Sequence, residues 1–475
     1  MPALRVDGGA LACCRSVGLV QLRSRPNPDA RAPRARRLHP AQIVFLGFLA
    51  VLLVGTGLLL LPIAKAGPGG ASFMEALFTA TSALCVTGLA TVDTAKYWTG
   101  FGQVIILALI QVGGFGVMTF ASLVSLAVAR RLSLRSKLTA LTESKGLALD
   151  DTRALVLGVL RMSLVIEGAV ALVLTAQFAL GYGKPIGEAL WLGVFHAISS
   201  FNNAGFALFS DNMMQYVADP IISLPICVAI ILGGLGFPVI VQLRKHINSP
   251  RLWTMNTRLV LWGTVLLLVI GTAFITVMEW NNPRTLGGLD WPSRILAGFF
   301  QSVQTRTAGF NSIDIGAMDS ATWLGMDALM FIGGGPAGTA GGIKITTFAV
   351  LFFVILAEVR GETAVNVFGK RLSRAVHRQA IAVVLFAVAL VAVGTTLLMV
   401  LTDFSLDVLL FEVVSAFATV GLSTGITADL PVAGQLVLIA LMFIGRLGPI
   451  TFASALALKS RRLSYEFPKE RPIIG

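Results

Sequence analysis

Long apolar stretches alternate with short polar ones along most of the chain. Residues 41–62 and 431–458, for example, exceed the roughly 20 residues that an α-helix needs to cross the hydrocarbon core of a bilayer. Between these stretches lie shorter amphipathic segments, each followed by a polar turn that contains glycine. This pattern predicts an all-α polytopic membrane protein.

Four of the short segments align without gaps. Each has Phe at its first position, Gly ten positions later, and Leu or Phe at the end. Each lies between two apolar stretches that predict membrane helices, one leaving the cytoplasm and one returning. We therefore expect four helix–pore-loop–helix repeats around a pseudo-four-fold central pore, with eight membrane-spanning helices and four pore helices. The four segments are FTATSALCVTGL (78–89), FHAISSFNNAGF (195–206), FFQSVQTRTAGF (299–310) and FEVVSAFATVGL (411–422).

Charge sets the orientation. The net charge is +13, yet only 13% of the 475 residues are charged and 55% are hydrophobic. The basic residues cluster in five segments, namely the N-terminal tail to Arg37, residues 130–153, 244–258 and 360–378, and the tail from Lys459. The positive-inside rule assigns these segments to the cytoplasm, so nucleic acid is not needed as a partner. This predicts a multi-pass protein of the cell membrane with both termini inside. Its predicted regions are a cytoplasmic tail (1–38), repeat 1 (39–140), repeat 2 (141–250), repeat 3 (251–370) and repeat 4 with the C-terminal tail (371–475).

The glycine turns have the chemistry of a cation filter. A helix of about twelve residues reaches only half-way across a bilayer, and non-helical backbone at that depth is tolerated where it lines a water-filled cavity. Glycine permits positive φ, and a ring of carbonyls replaces the hydration shell of a permeating cation. We therefore predict a monovalent-cation filter. Its candidate residues are Val86, Thr87, Gly88, Asn203, Ala204, Gly205, Thr307, Ala308, Gly309, Thr419, Val420 and Gly421.

The third returning helix is interrupted by GGGPAGTAGGIK (333–344). Six glycines and a proline make a continuous helix unfavourable there. No strand precedes this stretch and no Lys-Ser/Thr pair follows it, so a phosphate-binding loop is not indicated. It is either a simple helix kink or a movable gate. The candidate gate residues are Gly335, Gly338, Thr339, Gly341, Gly342 and Lys344.

Arg446 is an ionisable residue in the middle of a predicted membrane helix, 25 residues after Gly421. Such residues usually face a cavity or a partner. Arg446 is therefore either a positive charge below the filter, which would repel a cation, or half of a structural ion pair. Arg306 is expected to brace the third pore loop from behind, and His196 and Cys85 to pack within pore helices.

The four segments also carry a family resemblance. SALCVTGL, NNAGF, QTRTAGFNSID and ATVGLSTGIT resemble the four filters of the Trk/Ktr/HKT superfamily of potassium transporters. The Ktr membrane subunit fits best, because LHPAQIVFLGFLAVLLVGTGLLLLPIA places the first pore-unit helix directly after the tail, whereas Trk-type members carry additional helices first. Plant-type members often have serine at the first filter glycine, where this chain has Gly88.

The resemblance implies potassium uptake, with K⁺ as the permeating ion at the filter residues. It implies that 333–344 is an intramembrane gate loop and that Arg446 matches a family arginine near it. Thr339 and freed backbone groups of this loop are expected to hydrogen-bond Arg446. The resemblance further implies a homodimer on a ring of cytoplasmic nucleotide-binding regulatory (KtrA-like) subunits, surrounded by membrane lipid. Na⁺ is a candidate activator, and no bound organic cofactor is expected in this chain.

Two other functions stay open. A sodium-permeable cation channel would differ in ion selectivity, and an alternating-access cation symporter would differ in kinetics. Symporter folds usually show inverted halves, whereas the four repeats here share one orientation. No pattern typical of a catalytic site stands at a plausible position, so an enzyme is not expected.

Overall fold

The computed structural model describes residues 40–132 and 147–448. The N-terminal tail to Arg37, most of the basic segment 130–153, and the tail from Lys459 lie outside the described residues. The described chain contains 15 α-helices, with one two-stranded antiparallel hairpin that pairs Asn366–Val367 with Lys370–Arg371.

The helices fall into four groups with a recurring order. Each group has an outgoing helix, a shorter pore helix, and a returning element. Repeat 1 contains α1 (Pro40–Leu59), α2 (Phe73–Cys85), a short α3 (Thr94–Tyr97) and α4 (Gly100–Leu132). Repeat 2 contains α5 (Leu147–Ala176), α6 (Ile186–Phe201), α7 (Pro220–Leu235) and α8 (Phe237–His246). Repeat 3 contains α9 (Met255–Glu279), α10 (Trp291–Gln304), α11 (Ser320–Phe331) and α12 (Ile345–Val359). Repeat 4 contains α13 (Arg374–Leu401), α14 (Leu406–Ala418) and α15 (Val432–Leu447).

The four outgoing helices have the length and composition of membrane spans. Their apolar windows have mean hydropathies between 2.0 and 2.7, and only 22% to 33% of each window is buried inside the molecule. The remaining apolar side chains face outward, where lipid rather than water is the compatible solvent. α5 ends in a π-helical turn, Gln177–Gly181.

The returning elements differ from one repeat to the next. α4 is a single helix of 33 residues, but in repeat 2 the helix bends by 99° between α7 and α8. Gly236 has φ +90° at this bend, and a proline follows within the first turn of α8. The expectation of a long returning helix is therefore wrong for repeat 2. Among the described residues, four helices are long and apolar enough to cross a membrane by length and composition alone, or five if the bent pair counts as one span.

The pore helices form the centre of the fold. Ser72 and Glu75 make a reciprocal capping box that fixes the start of α2. The repeated phenylalanine is fully buried in repeats 1, 2 and 4, as Phe78, Phe195 and Phe411. In repeat 3 the next residue, Phe300, takes the buried position. The C-terminal half of each pore helix is almost fully buried, which places the four following turns in the interior.

Three returning helices approach the pore helices through glycine. A Cβ atom added to Gly113, Gly233 or Gly445 would overlap the carbonyl oxygen of the residue that lies four positions before the filter glycine of the same repeat. These carbonyls belong to Leu84, Phe201 and Phe417. Because only glycine leaves room for the carbonyl, these small residues let each returning helix pack against the end of its pore helix.

Candidate functional site

The four turns have the same backbone conformation. In each, the glycine and the residue two positions before it have positive φ, a conformation that is rare for residues other than glycine. The pairs are Val86 (56°) with Gly88 (95°), Asn203 (59°) with Gly205 (69°), Thr307 (69°) with Gly309 (77°), and Thr419 (51°) with Gly421 (95°).

The four glycines form a closed ring. A Cβ atom on Gly88 would lie 2.5 Å from the carbonyl oxygen of Ala204, and one on Gly205 would lie 2.7 Å from that of Ala308. In the same way Gly309 faces the carbonyl of Val420, and Gly421 faces the carbonyl of Thr87. Each turn therefore touches the next in chain order, and the fourth touches the first. This arrangement brings together all twelve candidate filter residues.

Hydrogen bonds to the pore helices hold the turns from behind. The backbone N–H of Thr87 donates to the carbonyl of Ser82 over 2.8 Å, and Val420 donates to Ser415 over the same distance. The Ser82 hydroxyl accepts the N–H of Gly88 at 3.1 Å, and the Ser415 hydroxyl accepts that of Gly421 at 3.1 Å. Gly88 and Gly421 are thus fixed by hydrogen bonds within their own repeats as well as by contacts with the neighbouring turns.

On one side of the ring lies a cavity of about 330 Å³. All four filter glycines line it. Two acidic residues, Asp93 and Asp211, and the neutral polar residues Asn311 and Ser423 also line it. A concave site with carboxylates raises the local concentration of cations. The cavity therefore has the chemistry of a vestibule that attracts cations to the ring.

On the other side, the break between α11 and α12 lies directly against the ring. We call residues 332–344 the crossing loop. The Thr339 hydroxyl, which is fully buried, donates to the side-chain oxygen of Asn203 at 3.0 Å and lies 3.2 Å from the carbonyl of Phe201. The N–H of Gly341 donates to the Thr307 hydroxyl at 3.2 Å. Two filter segments are thus bonded to the crossing loop.

The crossing loop is also paired with the bend in repeat 2. The N–H of Gly335 donates to the carbonyl of Gly234 at 2.8 Å, and the N–H of Thr339 donates to Gly233 at 3.1 Å. In return, Phe237 at the start of α8 donates to the carbonyl of Ala337 at 3.2 Å. The glycine-rich sequences of the two repeats therefore satisfy each other's backbone groups where both helices are interrupted.

Arg446 joins the crossing loop to repeats 1 and 4. Its guanidinium donates through Nη1 to the carbonyl of Thr339 and through Nη2 to that of Gly113, the latter at 3.1 Å. It is 4% exposed. Within residues 40–132 and 147–448 no carboxylate lies at salt-bridge distance from it, so the alternative of a structural ion pair is not observed there. Lys344 donates to the carbonyls of Ala340, at 2.5 Å, and Gly341.

The other singled-out residues lie behind the turns. Arg306 is buried in the third filter turn. It donates to the carbonyl of Gly333 at 3.3 Å, so it also contacts the crossing loop. Cys85 is fully buried. His196 has a larger role than packing: its Nδ1 lies 2.7 Å from the Leu192 carbonyl, and its Nε2 accepts the N–H of Leu208 at 3.2 Å.

Sequence reasoning missed two buried carboxylates near the turns. Glu412 on pore helix α14 accepts hydrogen bonds from Ser423 and Thr427, which follow the fourth filter glycine. Glu167 on α5 accepts bonds from Gln111 and Asn202. Both lie inside apolar stretches of the sequence, and an acidic residue in such a stretch is a signal of a functional or structural site.

Comparison with known proteins agrees with this architecture. The family model described as "TrkH: Cation transport protein" matches residues 70–464. The Ktr system potassium uptake protein B of Bacillus subtilis is 39% identical over 439 residues, covering 92% of this chain and 97% of that protein. The protein of the same name from Vibrio alginolyticus is 38% identical, covering 94% and 97%. The potassium/sodium uptake protein NtpJ of Enterococcus hirae is 35% identical, covering 93% and 98%.

A solved structure has the same fold. The potassium transporter TrkH from Vibrio parahaemolyticus superimposes with a TM-score of 0.70, over 91% of this chain and 87% of that one. The two sequences are 17% identical in this alignment, so the likeness concerns the fold alone. It confirms the predicted helix–pore-loop–helix architecture.

Proposed function

The chain belongs to the TrkH family of cation transport proteins, and from this premise we propose that it takes up potassium across the cell membrane through the central ring. The observation that carries the proposal is the closed cycle of four glycines, in which each glycine faces the carbonyl of the next turn. Relatives named as potassium uptake proteins, at 39% and 38% identity over nearly the whole chain, support K⁺ as the transported ion. The chain is thus a multi-pass transporter rather than an enzyme.

The filter would work by replacing water with backbone oxygen. A dehydrated K⁺ needs several oxygen ligands, and rings of carbonyls provide them without a full negative charge. Four carbonyls lie at the ring, and the paired positive φ angles in each turn set their direction. They belong to Thr87, Ala204, Ala308 and Val420. The four pore helices end at these turns, so the negative ends of their dipoles favour a cation there.

The crossing loop and Arg446 would form the gate below this filter. The loop is bonded to filter residues Asn203 and Thr307, and Arg446 donates to its centre at Thr339. A buried guanidinium close to the ion path raises the electrostatic energy of a cation that passes it. We propose that this arrangement is the closed state, and that conduction requires the loop to leave the underside of the filter.

Regulation would come from the cytoplasm. We propose a homodimer that binds a ring of nucleotide-binding subunits on the side of α8 and of the hairpin 366–371. The carboxyl end of α8 carries Arg244, Lys245 and His246, and α8 begins at the residue that is bonded to Ala337 of the crossing loop. Movement of α8 would therefore reach the gate directly. Both termini would lie on this side, and Na⁺ is proposed as an activator.

A sodium-permeable channel is the second candidate, because one relative is named a potassium/sodium uptake protein. Ion flux through the purified chain in liposomes separates the functions. We expect saturable flux of K⁺ and Rb⁺ that exceeds Na⁺ flux and increases when the regulatory subunits are added. Equal fluxes of Na⁺ and K⁺ would favour the second candidate. A strict requirement for a co-transported ion would instead indicate alternating access.

A further inference from the structure

Glu167 is a buried carboxylate that belongs neither to the filter turns nor to the crossing loop. It lies on α5 between apolar residues, within the span Val156–Gly181. It is 4% exposed. An acidic side chain at membrane depth is costly unless it is bonded, and its presence there usually serves a function.

Three helices from two repeats meet at Glu167. Gln111 on α4 donates its amide to both carboxylate oxygens, at 3.1 and 3.0 Å. Asn202 at the end of α6 donates to Glu167 Oε1 at 3.2 Å and to Gln111 Oε1 at 2.8 Å. The three side chains thus form a closed triangle in which Glu167 acts only as an acceptor.

Asn202 connects this triangle to the filter. It caps the C-terminus of pore helix α6 and directly precedes Asn203, the first filter residue with positive φ in repeat 2. α4 comes so close at this point that a Cβ atom on Gly114 would overlap Asn202 Oδ1. Asn202 is fully buried, so solvent water cannot replace a hydrogen bond that its side chain loses.

We propose that Glu167 is a positioning residue that fixes the second filter segment and thereby sets the preference for K⁺ over Na⁺. This inference rests on the function proposed above. Glu167 orients the Asn202 amide, Asn202 holds the junction between pore helix and turn, and that junction sets the direction of the next two carbonyls. A displacement of Asn202 would also affect the neighbouring turn, because the carbonyl of Ala204 lies directly beside Gly88.

The triangle makes a specific substitution informative. Gln111 donates its amide nitrogen to both carboxylate oxygens of Glu167. In Glu167→Gln, an NH₂ group replaces one of these two oxygens and faces the NH₂ group of Gln111. Two donors then face each other, so the Gln111 amide must turn or move. Because Gln111 also accepts a bond from Asn202, this movement pulls on Asn202 against its remaining bond to the carbonyl of Ile198. The exchange variant Glu167→Gln with Gln111→Glu restores one carboxylate and one amide, with the acceptor moved to α4.

Glu279→Gln is the matched control. Glu279 is also a fully buried carboxylate on an outgoing helix, α9, but it accepts bonds from Thr285, Thr322 and the N–H of Asp319 near the end of that helix. None of these residues belongs to a filter turn. A general loss of packing should therefore affect this variant as much as Glu167→Gln.

The test is the ratio of K⁺ to Na⁺ flux in liposomes, with monodispersity in detergent as the measure of folding. We expect Glu167→Gln to lower the ratio at least about fivefold, the lower end for disrupting a buried hydrogen-bond network. The exchange variant should recover most of it, and Glu279→Gln should keep the ratio of the unchanged chain. An unchanged ratio in folded Glu167→Gln, an equal loss in Glu279→Gln, or no recovery in the exchange variant would overturn the inference. Absence of K⁺ flux through the unchanged chain would instead reject the proposed function.

Discussion

Arg446 donates a hydrogen bond to the backbone carbonyl of Thr339, which links the fourth repeat to the centre of the crossing loop. Its second donor reaches the carbonyl of Gly113 in the first repeat. The guanidinium thus connects the fourth repeat to the first, through two residues that are 333 positions apart in the chain. The guanidinium of Arg446 provides both a positive charge and the hydrogen bond to the crossing loop. Substitutions of Arg446 can separate the effects of the two.

Removing the charge should open the path. A unit charge interacts with a second one about 4 Å away by roughly 1 kcal/mol in water and 4 kcal/mol near a protein surface. We expect Arg446→Ala to raise basal K⁺ flux about tenfold or more, and to weaken the dependence of this flux on the proposed regulatory subunits. Arg446→Lys keeps the charge, so its flux should stay closer to that of the unchanged chain.

Arg294→Ala is the control for this measurement. Arg294 donates to the carbonyls of Trp280, Gly287 and Leu289 between α9 and α10, outside the crossing loop and the hairpin. Flux in liposomes with and without the regulatory subunits decides the matter. Unchanged basal flux in a folded Arg446→Ala protein would show that the charge is no barrier.

The crossing loop can be loosened without deleting it. Thr339→Val keeps the shape of the side chain but removes the hydroxyl that bonds Asn203 and Phe201. A buried hydrogen bond contributes about 1 kcal/mol, so we expect basal K⁺ flux to rise about fivefold. Deleting 335–341 should raise it further. In the control Thr396→Val, the lost hydroxyl bonds only the preceding turn of α13.

Full regulation and unchanged basal flux in the folded deletion variant would exclude the loop as a gate. If Thr396→Val raised flux as much as Thr339→Val, the effect would come from loss of a hydroxyl in general.

The first filter glycine should not tolerate a side chain. Gly88→Ser places a Cβ atom 2.5 Å from the carbonyl oxygen of Ala204 and requires a non-glycine residue at φ +95°. Strain of this kind costs about 1–3 kcal/mol, so we expect the ratio of K⁺ to Na⁺ flux to fall about tenfold. Gly57→Ser is the control, because a Cβ atom there meets nothing within 4 Å. Equal ratios for both variants would remove Gly88 from the filter.

Orientation can be tested by labelling. In a background without Cys13, Cys14, Cys85 and Cys227, an impermeant maleimide added outside intact cells should label Lys96→Cys, whose side chain is 77% exposed. It should label Lys370→Cys, in the hairpin between α12 and α13, only after the membrane is opened. Labelling of Lys370→Cys in intact cells would reverse the proposed topology.

The repeated Phe and Gly spacing is sufficient to locate all four turns in the sequence, because the same backbone conformation needs glycine at the same place four times. The hydrogen bond between Arg446 and the crossing loop was also expected, although the loop offers a backbone carbonyl while the Thr339 hydroxyl turns to Asn203. The family resemblance, not periodicity alone, indicated a gate at 333–344.

Other features depend on distant contacts that no local pattern contains. In LGGLGFP (232–238), Gly233 packs closely against the carbonyl of Phe201, and the chain bends by 99° at Gly236. The Gly-Phe-Pro sequence was the available signal, because proline favours the first turn of a new helix. The partners of Glu167 lie 56 and 35 residues away in the chain, so its triangle became visible only when three helices were placed together.

The crossing loop gives the pore a property that an assembly of identical subunits lacks. Filter residues Asn203 and Thr307 bond the loop, while the corresponding residue of the first turn is Val86, which has no such group. In a symmetric tetramer every subunit would carry the same residue and the same loop, so four loops would compete for one axis. In a single chain the four quarters can differ in sequence, so one repeat alone carries the loop that we propose as the gate for a path lined by all four.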